Sequence, residues 1–255
     1  QGAPNIDLLA PDIYDIGFKS WASQYAMPLR PQDGREKVVN RLFIPESRCC
    51  ENSGVRALYA FGEHAALGFS PFAIDQADTR SIDGIKAAYS LIRQMKAMEE
   101  KQQQGKKGTP RTWGLLFDQE DRERVIDDDG VVMTCRHYFT LPWDARATDG
   151  STWPEGGAMV MRLGKHDYLL AGAGIVVDFK TRSEQEQDML QKTDKVTLGE
   201  DGFAKAGDKQ HSNGERRFTG SRLGLLAVDE VTIGGQRCGV TSFKFDSMLP
   251  ELNLR

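Results

Sequence analysis

Near residue 105 the spacing of apolar side chains changes, and this change constrains the fold more than any single motif does. Before it, short apolar runs alternate with helical stripes. After it, short apolar runs follow one another with turn residues between them. In the first part, Ile6 to Tyr14 reads as a buried strand, and Phe18, Trp21, Ala22 and Tyr25 recur on one helix face. Beyond a Pro/Gly/Arg-rich loop from Pro28 to Arg35, Val38 to Ile44 predicts a second strand that stops at Pro45-Glu46. Val55 to Phe61 then reads as a short helix and Leu67 to Ile74 as a third apolar run. An amphipathic helix follows, with Asp83 as candidate N-cap, Ile85, Ala88, Tyr89, Ile92 and Met95 on one stripe, and Gly105 as stop. Three strand-to-helix units in succession imply a parallel sheet with its helices outside. A closed eightfold α/β barrel takes about 250 residues, and about 105 are spent here. The stretch is therefore either a very small three-layer domain or the tail of a barrel.

From Thr112 onward the pattern predicts strands at Trp113 to Phe117, Val131 to Phe139, Ala158 to Leu163, Tyr168 to Ala171, Ile175 to Phe179, Lys195 to Leu198, Leu223 to Val228 and Cys238 to Phe245. Asp129-Gly130, Gly164-Lys165, Asp201-Gly202, Asn213-Gly214 and Gly234-Gly235 supply turns between them. A mostly antiparallel β-sandwich packs such a series. The join, Lys101 to Pro110, reads as a helix end and linker, which divides the chain into residues 1–105 (α/β) and 111–255 (all-β).

Composition narrows the function classes. With 33 basic against 37 acidic side chains, a formal charge of −4 and no basic field, nucleic acid is not an expected partner. No apolar run approaches the roughly 18 residues of a membrane span, so no membrane partner is expected either. Gly2-Ala3-Pro4-Asn5 lacks the basic head and apolar stretch of a signal peptide, and the start reads as a processed terminus or a cut. Cys49, Cys50, Cys135 and Cys238, like His64, His137, His166 and His211, match no metal-ligand spacing, so no metal is expected. Gly172-Ala173-Gly174 has Val177 where a dinucleotide loop needs its third glycine, Gly105-Lys106 continues with Lys107 where a phosphate loop needs Ser or Thr, and no Gly-x-Ser-x-Gly elbow surrounds Ser70. No organic cofactor is expected.

The informative spot is Leu42-Phe43-Ile44-Pro45-Glu46. An acidic residue just past the carboxyl end of a parallel strand stands on the face where α/β barrels assemble active sites, although it could also cap the next helix. Asp12 and Tyr14 end the preceding strand and would emerge on the same face. A phenol beside a carboxylate can hold it ionised by hydrogen bonding, as a nucleophilic carboxylate requires. Glu63-His64 is the other polar pair, able to bind a sugar hydroxyl, to act as an acid, or merely to stabilise a loop. Trp143 and Trp153, flanking the loop from Asp144 to Thr152, are the aromatics that could form a sugar-stacking platform if the chain were instead a non-catalytic carbohydrate-binding or scaffolding protein; covering the sandwich's own core is the simpler role for them.

Read in order, Leu9-Ala10-Pro11-Asp12-Ile13-Tyr14, then Leu42-Phe43-Ile44-Pro45-Glu46, then Tyr59-Ala60-Phe61-Gly62-Glu63-His64 with Gly68-Phe69-Ser70-Pro71-Phe72-Ala73-Ile74-Asp75, resemble the last barrel strands of family 35 glycoside hydrolases of β-galactosidase type that carry a β-rich C-terminal domain of unknown function. Ala171 to Val177 and the region of Asn213-Gly214-Glu215 are similar to that accessory domain. The resemblance implies a retaining exo-glycosidase built on a (β/α)8 barrel, with a nucleophilic Glu ending strand seven and an acid/base Glu ending strand four. Glu46 matches the nucleophile, and Tyr14 is placed like the strand-six tyrosine that hydrogen-bonds it. Asp12, Glu63 and His64 are the further substrate-binding candidates. The acid/base matches nothing here. The chain thus reads as an incomplete (β/α)8 barrel, its last three strands, followed by the sandwich, with a terminal β-galactoside or cell-wall oligosaccharide as substrate. By resemblance it would be secreted or periplasmic.

Overall fold

The computed structural model describes residues 6–26, 28–29, 38–103, 111–140, 145–162, 168–181, 192–198, 204–209, 217–218, 224–230 and 239–243. The first region runs β1 (Asp12–Ile13), α1 (Phe18–Tyr25), β2 (Pro28–Leu29), β3 (Val38–Val39), β4 (Phe43–Ser47), α2 (Ser53–His64), β5 (Gly68–Pro71) and α3 (Thr79–Gln103). Strands β1, β4 and β5 lie side by side in that order and all run parallel, while β2 and β3 form a separate antiparallel pair. Parallel neighbours need a crossover, and α1 and α2 provide the two. Ile13, Ile44 and Phe69 of the strands meet Phe18 and Ala22 of α1, Leu58 of α2, and Ala88, Ile92 and Met95 of α3 in one core, so the helices cover the same face of the sheet.

Three local expectations need correction. The strand read over Ile6 to Tyr14 shrinks to Asp12–Ile13, and Ile6 and Leu9 stand 53% and 43% exposed. Among the described residues β1 has only β4 as a strand partner, so the chain before Asp12 finds no ladder. Leu9 is tied instead to Asn40, whose Oδ1 accepts its N–H at 2.9 Å and whose Nδ2 donates to its carbonyl at 2.8 Å. The second strand, read over Val38 to Ile44, begins only at Phe43, since Val38–Val39 pair with β2 instead, and it does not stop at Pro45 but passes through it to Ser47. There the register slips: Ile44 faces Phe69 and Ser47 faces Pro71, three steps on β4 against two on β5. Such a bulge tolerates a proline, which has no N–H for the ladder, and re-aims the inserted side chain. Finally, α3 starts at Thr79 and is capped by Asp78, not Asp83. Asp78 Oδ1 accepts the Ser81 N–H at 3.0 Å and Oδ2 the Ser81 hydroxyl at 2.6 Å, leaving Asp83 inside the helix. The proposed stop at Gly105 lies outside the described residues.

The second region holds β6 (Thr112–Phe117), β7 (Glu123–Asp128), β8 (Val131–His137), β9 (Gly156–Arg162), β10 (Tyr168–Ala173), β11 (Ile175–Thr181), β12 (Lys192–Leu198), β13 (Ala204–Lys209), β14 (Arg217–Phe218), β15 (Gly224–Glu230) and β16 (Gly239–Phe243). They form a six-stranded sheet, β13-β12-β15-β10-β9-β6, and a five-stranded sheet, β14-β16-β11-β8-β7. All neighbours are antiparallel except β14 and β16. The sequence pattern anticipated neither β7, β13 nor β14. The Asp129-Gly130 turn is present: Asp128 pairs with Val131, and φ is 52° at Asp129 and 91° at Gly130, the positive pair that a two-residue hairpin with native twist demands. The other four turn signals lie outside the described residues. The molecule is thus a mixture of helices with parallel and antiparallel sheets, and no barrel closes among the described residues.

Burial shows how the two regions meet. Strand β8 alternates buried and half-buried positions, as a sheet covered on one face should, whereas β10 is buried at every position and β9 at all but its last. Leu115, Phe117, Val160 and Leu170 face Met133, Cys135, Ile175 and Val177 of the other sheet, while Leu116, Met159, Met161 and Leu169 belong to the core of the helices. Helix α2 lies between the parallel strands and the six-stranded sheet, buried along most of its length. A glycine at each side permits the approach. A Cβ on Gly62 would lie 2.8 Å from the Trp113 carbonyl oxygen, and one on Gly114 would lie 2.6 Å from the Glu63 nitrogen. Gly114→Val should therefore force helix and strand apart and lower the unfolding free energy by about 3 kcal/mol in a denaturant titration. A variant as stable as the parent would show that the contact is not tight.

Candidate functional site at the carboxyl edge of the parallel sheet

The carboxyl ends of β1 and β4 bring Asp12, Tyr14, Glu46 and Arg48 together. Asp12 and Glu46 are register partners in the parallel pair, so their Cα atoms are neighbours across the ladder. The bulge lies between Ile44, which joins the helical core, and Ser47, each 0% exposed, while Glu46 is left half-buried at the edge. The Tyr14 hydroxyl donates a hydrogen bond to Glu46 Oε1. This bond to a carboxylate, which would repel a phenolate, is the main cause that pushes the Tyr14 phenol up to about 12. Arg48 adds a cation that the sequence reading did not single out. Its Nε and Nη2 reach the Tyr14 carbonyl at 3.4 and 3.5 Å, and its N–H donates to the Ile13 carbonyl at 3.3 Å. Its signal was available in the period-two spacing from Glu46, which sets both residues at the same strand end.

Glu63 and His64 are not brought to this edge. Helix α2 runs antiparallel to β4 for 12 residues, about 18 Å. Its last turn therefore stands at the opposite edge, where the Leu67 N–H donates to the Leu42 carbonyl at 2.7 Å. Glu63 Oε2 accepts the Gly114 N–H at 3.1 Å and Arg124 Nη1 at 2.8 Å, tying the helix end to the six-stranded sheet and to β7. His64 Nε2 lies 3.2 Å from the Tyr59 hydroxyl, and burial lowers its pKa. Glu63 thus joins the helix to the β layers, while His64 packs on Tyr59 of its own helix; neither stabilises a loop as the sequence pattern suggested. At the other end of α2, Arg56 forms a two-pronged ion pair with Glu155, Nε to Oε2 and Nη2 to Oε1 both at 2.6 Å, and neither side chain is more than 12% exposed.

Trp153 offers no stacking platform. It is 7% exposed, stacks on His137 at 4.9 Å, lies 4.8 Å from the Arg122 guanidinium, and donates through Nε1 to the Arg146 carbonyl at 2.9 Å. It packs with Tyr138, Phe139 and Val176 in a small cluster apart from the core between the two sheets, and Trp143 lies outside the described residues. His137 is wholly buried. Its Nδ1 accepts the Phe139 N–H at 3.1 Å, so Nε2 carries the proton donated to the Pro154 carbonyl at 2.8 Å. Burial lowers its pKa from 6.5 to about 4. Between those values the unfolded chain takes up a proton that the folded chain refuses, so stability falls as pH drops through this window, by about 3 kcal/mol once both values are passed. Unfolding free energies measured from pH 7 to pH 4 should decline less steeply in His137→Gln than in the parent.

Among the described residues no three His, Cys, Asp or Glu side chains gather into a group able to hold a metal ion, and no helix is long and apolar enough to cross a membrane. A family model described as "Domain of unknown function (DUF5597)" matches residues 85–236, more than half of the chain. The chain belongs to the DUF5597 family. The DUF5597 match opens inside α3 and takes in the strands from β6 to β15, which leaves Tyr14, Glu46 and α2 outside it. None of the curated proteins matches the chain.

Proposed function

We propose that β1, β4 and β5 are the last three strands of a (β/α)8 barrel, that the two facing β layers are its accessory sandwich, and that Glu46 is the nucleophile of a retaining exo-glycosidase of β-galactosidase type. The observation that carries this reading is the Tyr14 hydroxyl bonded to Glu46 on the carboxyl edge of the parallel sheet. Support for the barrel comes from the strand order, which equals the chain order, from helices on one face, and from the outer edges of β1 and β5, which have no strand neighbour among the described residues.

In this chemistry the carboxylate attacks the anomeric carbon through an oxocarbenium-like transition state while a second carboxyl about 5–5.5 Å away protonates the leaving oxygen, then deprotonates the water that releases the sugar. Tyr14 fixes one oxygen of Glu46 so that the group meets the sugar in one orientation. Asp12 and Arg48 stand beside it as hydrogen-bonding partners for sugar hydroxyls. The acid/base carboxyl belongs to strand four of the full barrel, so this chain alone should turn over aryl β-galactosides at no detectable rate. Terminal β-galactosides, including those of cell-wall oligosaccharides, are the proposed substrates.

The test uses a polypeptide that carries all eight strand-helix units, incubated with a 2-deoxy-2-fluoro-β-galactosyl fluoride. The expected result is a covalent adduct whose peptide map places the sugar on Glu46. A label on any other carboxylate would remove Glu46 from the role of nucleophile.

A further inference from the structure

We infer that the β layers act on the Tyr14–Glu46 pair through Glu155, which is a positioning residue for that pair. A continuous set of contacts joins them. Glu155 grips Arg56 in the first turns of α2 with both carboxylate oxygens at 2.6 Å. Just before Arg56 on the same helix, the buried Ser53 closes the turn that follows β4: its hydroxyl donates to the Arg48 carbonyl at 3.1 Å and accepts the Cys50 N–H at 3.0 Å. Arg48, held there, reaches the Tyr14 carbonyl with its guanidinium and the Ile13 carbonyl with its N–H. Tyr14 in turn holds Glu46.

Glu155 is itself fixed on a rigid base. The preceding Pro154 carbonyl accepts from the buried His137, Trp153 stacks on that imidazole, and Gly156 opens β9. The β layers thus set where α2 begins, and the start of α2 sets the geometry of the loop that carries Arg48. The tether at the far end of α2 joins Glu63 to Gly114 of β6 and Arg124 of β7, and among the described residues no hydrogen bond of Glu63, Gly114 or Arg124 leads to the carboxyl edge. Two tethers on one helix therefore have different roles. The first positions the pair and the second only holds the layers together.

The inference takes its catalytic meaning from the proposed role of Glu46, but its test reads geometry alone, so either can fail without the other. In the 255-residue chain labelled at tyrosine 13Cζ, the Tyr14 resonance at neutral pH is identified by its loss in Tyr14→Phe. Glu46→Gln defines the displacement caused by losing the carboxylate acceptor. Glu155→Gln should produce at least half of that displacement, Glu155→Asp less, and Glu63→Gln none. Ser53→Ala, which leaves the Arg56–Glu155 pair intact, should shift the resonance in the same direction and serves if Glu155→Gln does not fold. An unmoved resonance in the folded Glu155→Gln or Ser53→Ala variant, or an equal shift in Glu63→Gln, would overturn the inference, because the first breaks the path and the second reduces it to general loosening.

Discussion

Glu46→Gln, placed in a polypeptide with the complete barrel, should lower kcat for aryl β-galactosides by roughly 10⁴-fold or more, equivalent to about 5 kcal/mol of lost transition-state stabilisation. The amide keeps the shape and the hydrogen bond to Tyr14 but cannot form the glycosyl ester, so the reaction loses its covalent route. A sharper form of the test uses Glu46→Gly with added azide. The small anion occupies the vacated space and attacks the anomeric carbon from the same side, so the product recovered should be the α-configured galactosyl azide, visible by proton NMR. Tyr14→Phe leaves the nucleophile in place and removes only its orienting donor, and about a 10²-fold loss is expected. Retention of kcat within tenfold in Glu46→Gln would end the nucleophile assignment. A β-configured azide would assign Glu46 the acid/base role instead.

Asp128→Ala should be the most destabilising single change in the β layers, by about 3–5 kcal/mol. Asp128 is fully buried, yet its Oδ1 accepts from Arg111 at 2.7 Å and from Arg162 at 2.9 Å, and its Oδ2 from the Tyr168 hydroxyl at 2.8 Å. Its partners lie at the start of β6, on β9 and on β10, so one carboxylate at the end of β7 clasps the five-stranded sheet to the six-stranded one. Removing it takes from the Arg162 guanidinium, whose side chain is 17% exposed, the buried one of its two carboxylates, with Asp129 Oδ2 still at 2.7 Å, and takes from the buried Tyr168 hydroxyl its hydrogen bond to Asp128. Arg111 loses less, since it is 55% exposed and water can replace the contact. Urea unfolding of Asp128→Ala and Arg111→Ala should rank in that order. A loss below about 1 kcal/mol in Asp128→Ala would show that the clasp contributes little net stability.

The contrast between these two sites explains what was legible in the sequence. The Glu46 edge could be read because every clue is local: an apolar run, its end, and the same pattern repeated one unit earlier at Asp12 and Tyr14. The stripe of α3 was legible for the same reason, since Ile85, Ala88, Ile92 and Met95 are all buried. Strand β7 was not, because Glu123 to Asp128 sits at the margin of its sheet with Val125 58% exposed, and its deepest side chain is a carboxylate. Helical periodicity alone does not tell Asp78 from Asp83 as the cap, because both precede the apolar stripe. Only the turn geometry selects the one that receives Ser81. The pairing of Arg56 with Glu155, 99 residues apart, has no local signature at all, and Glu63 with Arg124 likewise becomes interpretable only once α2 is seen lying on β6.

The burial of α2 bears on how such a chain can be cut and joined. A piece beginning at residue 85, where the family match begins, would leave behind the helix that shields Leu116, Met159, Met161 and Leu169. Those side chains would then meet water on a sheet designed to be wet on neither side, and the excised piece should self-associate during expression. Gene fusions or transplants of the β layers should therefore break before Ser53 rather than within the stretch from Lys101 to Pro110, carrying the helix as the inner lining of the module.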